Sequence, residues 1–377
     1  MRGGLSSGNE AGSGGQYLII GVPGAELDAE TRHAIEEIQP GGFILFGRNI
    51  KSPVQLRTLI DDLRASVRHE PVITIDQEGG RVSRLKEIGS EPPSAVQLRN
   101  KGDLALITEH GRLTGRLLRL FGFNLDLCPV LDVSFDDDAD NSLKNRTYGR
   151  DPEEVIRCAG AFNKALRAEG ILSCGKHFPG YSAAAVDPHH DLPEIPRTRA
   201  ELEACEWVPY RRMQAELDSL MIGHVRNRHL DPTGIASSLS QPMVGGIIRN
   251  DWAYDGLVMT DDMDMGAILN EYGFDEAMRR SIEAGNDMIL LCHRVEMARQ
   301  AAAVLAKLPA EVTAATRARL ARLRARLKQE AAPHPFSIEA HTKLDAEVYA
   351  LREAVLGIDG AKARSADDGK RSPVETY

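Results

Sequence analysis

Short apolar segments recur along the whole chain. Each is almost continuously apolar and rich in Ile, Leu and Val, with no alternation between apolar and polar residues. This pattern is typical of strands that are buried on both faces. Eight segments have it: 17–22, 42–46, 72–76, 125–131, 171–174, 219–222, 257–260 and 287–291.

Amphipathic helix patterns lie between these segments. Ser52-Pro53 and Asp151-Pro152 each place a capping residue before a proline at the first helical position. Buried strands alternating with helices predict a parallel sheet covered by helices. Eight repeats favour an α/β fold built as a single (β/α)₈ TIM-type barrel. An open Rossmann-type sheet is the alternative, but no Gly-x-Gly-x-x-Gly motif follows the first strand.

The two ends of the chain differ from the barrel region. Residues 1–15 are rich in Gly and Ser and are expected to be disordered. The barrel is predicted to span residues 16–330, including an Ala-, Arg- and Leu-rich helical part that is broken at Pro309. Residues 331–357 are predicted to add a C-terminal helical extension, and the polar residues 358–377 to form a disordered tail.

Composition narrows the classes of partner and compartment. The 377 residues include 46 Lys and Arg against 55 Asp and Glu, a net charge of −9. This balance argues against a nucleic-acid or anionic-membrane partner. No stretch approaches the roughly 20 apolar residues of a membrane span. The five scattered cysteines, without a CxxC pair, favour reduced thiols, and the N-terminus lacks the apolar run of a signal peptide. A cytoplasmic location is predicted.

Ionisable residues stand at the ends of four predicted strands. Asp76 follows the third, Lys176-His177 the fifth, His224 the sixth and Asp261-Asp262 the seventh. Any one of them alone is as easily explained by an ion pair or a loop hydrogen bond. In a TIM barrel, however, the C-terminal strand ends meet at one rim, where active sites lie. The four sets together therefore predict a functional site.

A candidate acid/base pair lies in the segment after the fifth strand. Residues 181–191 read YSAAAVDPHHD, which places Asp187 close to His189. A carboxylate beside an imidazole orients the ring and stabilises its charged form. His177, His189, His190 and His224 could instead meet as metal ligands, but no HExxH or other tight ligand spacing is present. Neither a metal nor another cofactor is expected.

Four stretches resemble glycoside hydrolase family 3, in its bacterial N-acetyl-β-glucosaminidase branch. They are ITIDQEGGRVSRL at 73–85, NRTYGRDP at 145–152, GKHFPG at 175–180 with DPH at 187–189, and DGLVMTDDMDMGA at 255–267. The resemblance covers roughly residues 16–300. It implies a retaining glycosidase that removes β-linked N-acetylglucosamine. The implied natural substrates are cell-wall-derived muropeptides.

The resemblance also implies a role for each candidate residue. Asp261 corresponds to the nucleophile, and Asp187 with His189 to the acid/base dyad. The sugar-binding residues would be Asp76, Arg84, Arg146, Lys176 and His177, and His224 joins this set by its place at a strand end. Asp262 is the competing nucleophile, although a hydrogen-bonding role in the loop suits it better.

This chain departs from the family pattern at three places. The family commonly reads PGHG where this chain has Gly180-Tyr181-Ser182. It commonly reads Asp-Ser-His where Pro188 stands here, and proline stiffens the turn. Thr260 replaces the usual Ser before the nucleophile.

Four other functions remain open at this stage. A phosphorylase could use the same scaffold, because a histidine does not repel phosphate as a carboxylate does. A family 3 β-glucosidase, a metal-dependent barrel hydrolase and a non-catalytic sugar sensor are the others.

Overall fold

The computed structural model describes residues 14–138, 141–184, 191–330 and 335–363. These residues form ten strands: β1 Leu18–Ile20, β2 Gly42–Leu45, β3 Val72–Ile75, β4 Gln77–Gly79, β5 Val82–Ser83, β6 Leu125–Asp126, β7 Leu172–Phe178, β8 Ser219–Ile222, β9 Leu257–Asp262 and β10 Met288–Leu291. Eight of them close a parallel barrel in the order β1-β10-β9-β8-β7-β6-β3-β2. β4 and β5 form a separate antiparallel pair after β3. The predicted TIM-type barrel is therefore confirmed.

Helices surround the barrel and connect its strands. The α-helices are α1 Ala29–Ile38, α2 Pro53–Ala65, α3 Ala95–Lys101, α4 Leu104–Phe121, α5 Pro152–Ala168, α6 Arg199–Ala204, α7 Val208–Met213, α8 Gly266–Leu269, α9 Phe274–Ala284, α10 Ala298–Leu305, α11 Ala310–Glu330 and α12 Ile338–Lys362. A π-helix spans Pro242–Asp251. Short 3₁₀ turns occur at Gly14–Tyr17, Gly47–Asn49, Arg84–Glu87, Gln214–Glu216, Ser237–Leu239 and Val295–Met297.

The barrel strands coincide with the apolar segments, with three differences at their ends. β7 continues to Phe178 and β9 to Asp262, so the polar residues expected after these strands belong to the strands themselves. β6 ends at Asp126, far earlier than the apolar run 125–131 predicts. Pro129 lies in that run and has no N–H group for a ladder hydrogen bond.

The helix start signals hold in the structure. The side chain of Ser52 accepts a hydrogen bond from the Gln55 N–H, and the Gln55 side chain reaches back to complete a capping box. Asp151 caps α5 by accepting from the N–H of Glu154. Both helices place their apolar stripe in the core, for example Leu56, Leu59, Ile60 and Leu63 of α2.

Elements at the two ends of the chain pack on the barrel. The turn Gly14–Tyr17 lies against α10, so Gly14 and Gly15 are structured where a disordered segment was expected. α12 packs along α4, and the buried Arg352 donates to a Glu91 carboxylate oxygen at 2.9 Å. The sequence predicts a helical extension ending at residue 357. In the structure, Gly357 interrupts the helix at φ 75°, and one further turn follows to Lys362.

None of the helices in the described part of the chain is long and apolar enough to cross a membrane.

A buried carboxylate fastens helices to the bottom of the barrel. Asp287 is fully buried just before β10. It accepts hydrogen bonds from Thr316 and Arg319 of α11, both at 3.0 Å, and it pairs with Arg249 of the π-helix. The N–H of Val258 in β9 donates to the same carboxylate at 3.0 Å.

Asp287→Ala is expected to lower the free energy of unfolding by about 3–5 kcal/mol, because the largely buried guanidinium of Arg249 loses its carboxylate partner. Asp255→Ala is the matched control. Asp255 pairs with Arg319 and Arg322 on the surface, with a side chain 70% exposed, and its loss should cost about 0–1 kcal/mol. Denaturation of both variants by guanidinium chloride measures the difference. Equal losses would show that burial at Asp287 does not set the strength of this attachment.

Candidate active site

The polar strand ends meet at one rim of the barrel. A cleft there encloses about 600 Å³, open solvent at its mouth included. Its polar wall contains Asp76, Arg84, Ser142, Arg146, Lys176, His177, Tyr181, Asp261 and Asp262. Its apolar wall contains Ile44, Phe46, Val82, Leu127, Met221, Met265, Leu290 and Cys292. The sequence predicted this meeting of the third, fifth and seventh strands.

A buried network of charges forms one side of the cleft. The Lys176 ammonium lies 2.6 Å from a carboxylate oxygen of Asp76 and 2.7 Å from one of Glu78. Arg146 donates to both Glu78 oxygens, from Nε at 2.8 Å and from Nη2 at 2.7 Å. Two carboxylates and two cations, all of them buried, thus balance one another. The bidentate, charge-assisted hydrogen bonds between Arg146 and Glu78 are stronger than those between neutral groups.

This pairing fixes the protonation of the network. Burial by itself would raise the pKa of Glu78, but the charges of Arg146 and Lys176 outweigh it and hold that pKa well below its usual range. Burial would likewise lower the pKa of Lys176, and the charges of Asp76 and Glu78 raise it above its usual value instead. The network therefore favours the carboxylate form of Glu78 and the cationic form of Lys176.

Arg84 stands on the far side of Asp76. Its Nη2 lies 3.9 Å from an Asp76 oxygen, and its guanidinium carbon is 5.9 Å from the centre of the Phe46 ring. Asp76 consequently lies between two cations, Lys176 and Arg84.

His177 is oriented by a buried aspartate that the sequence analysis did not single out. Asp132 accepts from His177 Nδ1 at 2.8 Å, from the His177 backbone N–H at 3.0 Å and from the Tyr181 N–H at 2.7 Å. Since a carboxylate only accepts, Nδ1 carries a proton. The other ring nitrogen, Nε2, lies 3.4 Å from Arg146 Nη2, a donor. The imidazole therefore has one defined tautomer and one orientation.

Asp261 also lines the cleft, at the end of β9. It is half-buried, whereas its neighbour Asp262 is buried. One Asp261 oxygen accepts from the Tyr181 hydroxyl at 3.1 Å, and the other accepts from the Asp262 backbone N–H at 2.9 Å. The carboxylate is thus held at both oxygens while it remains accessible from the cleft.

Asp262 has a different environment. One of its oxygens accepts from the N–H of Asp264 at 3.0 Å and from the N–H of Cys292 at 3.1 Å. The other lies 3.5 Å from Nε2 of His293. Burial, and next the negative charge of Asp264, raise the pKa of Asp262 to about 8. This environment favours the protonated form of Asp262, whose hydrogen bonds tie the ends of β9 and β10 together.

His224, expected to contact sugar, is turned into the core. Its ring is fully buried, with Nδ1 2.8 Å from the Ser238 hydroxyl and Nε2 2.9 Å from the Asp262 carbonyl oxygen. Because a carbonyl oxygen only accepts, His224 Nε2 donates this hydrogen bond, which holds the end of β9 in place. His224 does not line the cleft.

The other two predicted catalytic residues, Asp187 and His189, lie outside the described residues. Among the residues that are described, no three or more His, Cys, Asp or Glu side chains are grouped to hold a metal ion. His190 of the hypothetical metal site also lies outside the described range.

Four further residues of the site were missed or undervalued. Glu78, Asp132 and Tyr181 were not selected, and Asp262 entered only as a competing nucleophile. A weak signal existed for Glu78, which stands two positions after Asp76, and for Asp132, which follows an apolar run. Nothing local reveals that Tyr181 reaches Asp261, 80 residues away.

Comparisons with known proteins agree with this geometry. Residues 13–325 match the model of the glycosyl hydrolase family 3 N-terminal domain. A beta-hexosaminidase of Alkalilimnicola ehrlichii is 35% identical over 74% of this chain and 81% of its own length. A beta-hexosaminidase of Pseudomonas aeruginosa is 32% identical over 77% of this chain and 86% of its own length.

Solved structures point the same way. A family 3 β-N-acetylglucosaminidase from Paenibacillus sp. superposes with a TM-score of 0.83 at 30% identity, covering 90% of this chain and 67% of that one. NagZ from Neisseria gonorrhoeae, in complex with N-trifluoroacetyl-D-glucosamine, gives a TM-score of 0.74 at 28% identity, covering 89% of this chain and 97% of that one. The resemblance seen in the sequence is confirmed: the chain belongs to glycoside hydrolase family 3 and is a glycoside hydrolase.

Proposed function

We propose that this enzyme is a retaining exo-glycosidase that hydrolyses terminal β-linked N-acetylglucosamine through a covalent glycosyl-aspartate. One observation carries the proposal. One cleft is lined both by the accessible carboxylate of Asp261 and by the buried network of Asp76 and Lys176. The first group can attack an anomeric carbon, and the second can bind sugar hydroxyls. The relatives named beta-hexosaminidase support the N-acetylated sugar.

The charged network suits a sugar ring. The Asp76 carboxylate, held by Lys176, can accept hydrogen bonds from adjacent hydroxyl groups. Arg84, Arg146 and His177 can serve the remaining hydroxyls and the acetamide oxygen. Such charge-assisted bonds are strong and strict in direction, so they select one sugar configuration. The ligand of the gonococcal NagZ structure, an N-acylated glucosamine, fits a pocket of this chemistry.

Asp261 is the proposed nucleophile in preference to Asp262. A nucleophilic carboxylate must be ionised and reachable from the cleft. Asp261 is half-buried, whereas Asp262 is buried, protonated to about pH 8 and bonded to two backbone N–H groups.

We assign the acid/base role to His189, with Asp187 orienting its ring. The assignment rests on the family's Asp-x-His pattern in the loop after the fifth barrel strand, which is β7. His189 would protonate the leaving oxygen in the first step and deprotonate water in the second. We further propose cell-wall-derived muropeptides as the natural substrates and the cytoplasm as the location, on the strength of the family resemblance.

The activity is tested with an aryl N-acetyl-β-glucosaminide in phosphate-free buffer. We expect clear release of the aryl alcohol, with little turnover of the matching aryl β-glucoside. Turnover that requires added phosphate and yields the sugar 1-phosphate would point to a phosphorylase. Loss of turnover on chelation would point to a metal-dependent hydrolase, and no turnover of either substrate would leave a sugar-binding protein.

The nucleophile is tested by two adjacent substitutions of the same kind. Asp261→Asn should lower kcat by roughly a thousandfold, since it removes the attacking group and leaves the shape of the cleft. Asp262→Asn should lower kcat far less. A reversed order of the two effects would make Asp262 the nucleophile.

Asp262→Asn should also remove a pH-dependent loss of stability. The folded protein holds the Asp262 proton up to about pH 8, whereas an unperturbed Asp releases it near 3.8. Unfolding between these values releases a proton, so the free energy of unfolding falls as pH rises, by at most about 1.4 kcal/mol per unit. Chemical denaturation at about pH 5, 6.5 and 8 should show that the free energy of unfolding of the variant rises relative to that of the wild type as the pH increases. A constant difference would contradict a protonated Asp262.

His189→Ala is expected to separate good from poor leaving groups. In kcat/KM, which reports the first step, a poor leaving group should lose roughly a hundredfold or more, because it needs the proton. An activated dinitrophenyl leaving group should lose less than about tenfold. Equal losses on both substrates would remove His189 from the acid role.

A further inference from the structure

Tyr181 lies against the candidate nucleophile and is held from several sides. Its side chain is 3% exposed, and its backbone N–H donates to Asp132 at 2.7 Å. Its ring centre is 4.9 Å from that of His177. A Cβ atom at Gly223 would come within 2.6 Å of its phenol carbon and oxygen, so glycine there leaves room for the ring.

The direction of the hydroxyl hydrogen bond is defined by its neighbours. The Tyr181 oxygen accepts from the His224 backbone N–H at 2.8 Å. The single phenol proton is then free to point at the Asp261 oxygen 3.1 Å away, which cannot donate when ionised. Burial, and next the charge of Asp261, raise the pKa of Tyr181 well above its usual value. The phenol therefore stays protonated and acts as a donor.

The charge on Asp261 changes twice in the proposed reaction. In glycosylation, an Asp261 oxygen forms a bond to the anomeric carbon and the bond to the aglycone breaks. The electron pair of that bond leaves on the aglycone oxygen, which takes the proton of His189. In deglycosylation, a water oxygen bonds to the anomeric carbon and gives a proton to His189. The sugar–aspartate bond breaks, and its electron pair returns to the carboxylate.

A hydrogen bond to this carboxylate acts differently on the two steps. It is strongest to the full charge of the free enzyme and weakest to the neutral glycosyl ester. Glycosylation weakens the bond, so the bond does not help that step. Deglycosylation restores the charge, and a donor that is already in place stabilises it as it forms.

We propose that Tyr181 is a catalytic residue whose hydroxyl donates to Asp261 and speeds the departure of the aspartate from the sugar in the second step. This inference rests on the proposed function, because it requires a glycosyl-Asp261 intermediate. His224 and Gly223 act as positioning residues for the phenol. The chain thus places tyrosine where the family commonly reads histidine in its PGHG motif.

The test is Tyr181→Phe, which removes only the hydroxyl. The substrate is 2,4-dinitrophenyl N-acetyl-β-glucosaminide, whose leaving group makes the first step fast. We expect kcat to fall about tenfold and KM to fall with it, while kcat/KM stays within about threefold. Rapid mixing should show a burst of about one dinitrophenol per active site. Intact-mass spectrometry should detect enzyme carrying one N-acetylglucosaminyl group.

Tyr254→Phe is the matched control. Tyr254 is also buried and donates one hydrogen bond, to the Leu217 carbonyl oxygen at 3.0 Å, just before β8. This variant should show wild-type kinetics. Tyr181→His restores a hydrogen-bond donor, so its kcat should lie between those of Tyr181→Phe and the wild type. It also serves as the second variant if the Tyr181→Phe protein does not fold.

The outcomes separate the two proposals. Equal falls in kcat and kcat/KM without a burst, or no change in either, would overturn the role of Tyr181 and leave the glycosidase in place. A wild type inactive on every aryl N-acetylglucosaminide, or a fully active Asp261→Asn variant, would instead overturn the proposed function.

Discussion

The buried carboxylate of Glu78 is the constraint on which the site depends. Two cations, Lys176 and Arg146, lie within 2.7 Å of its oxygens. Burying any one of these charges alone would cost much free energy, so the fold can bury them only together. Their pairing joins the segment after β3, strand β7 and the loop that carries Arg146. It also fixes Lys176 where it reaches Asp76, the residue that faces the cleft.

Barrel closure supplies the second condition. Parallel strands all end at the same rim, so residues from β3, β7 and β9 converge without a dedicated loop for each. Consecutive residues of a strand point to opposite faces. For this reason Asp261 and Asp262, identical in chemistry, meet opposite environments. One is open to the cleft and bonded to Tyr181, and the other is buried and protonated.

The supporting residues link these conditions. Asp132 accepts hydrogen bonds from the His177 ring and from the backbone N–H of Tyr181. The backbone N–H of His224 donates to the Tyr181 hydroxyl oxygen, and the His224 ring is hydrogen-bonded to the Asp262 carbonyl oxygen at the end of β9. His177 and Tyr181, which line the cleft, are therefore held by Asp132 and His224, which are not part of its wall. This arrangement is how a barrel rim gives fixed geometry to side chains from distant parts of the chain.

The sequence by itself determined the barrel, the positions of its eight strands, the starts of α2 and α5, and the cleft residues Asp76, Lys176, His177 and Asp261. The hydrophobic period, the capping residues and the position of a residue at a strand end are local patterns, and local patterns are visible in the sequence itself. Only the tertiary structure decided that Glu78 pairs with residues 68 and 98 positions away, that Tyr181 reaches Asp261, and that His224 faces inward. These outcomes depend on strand register and on which face of a strand is buried, and no local pattern encodes the partner.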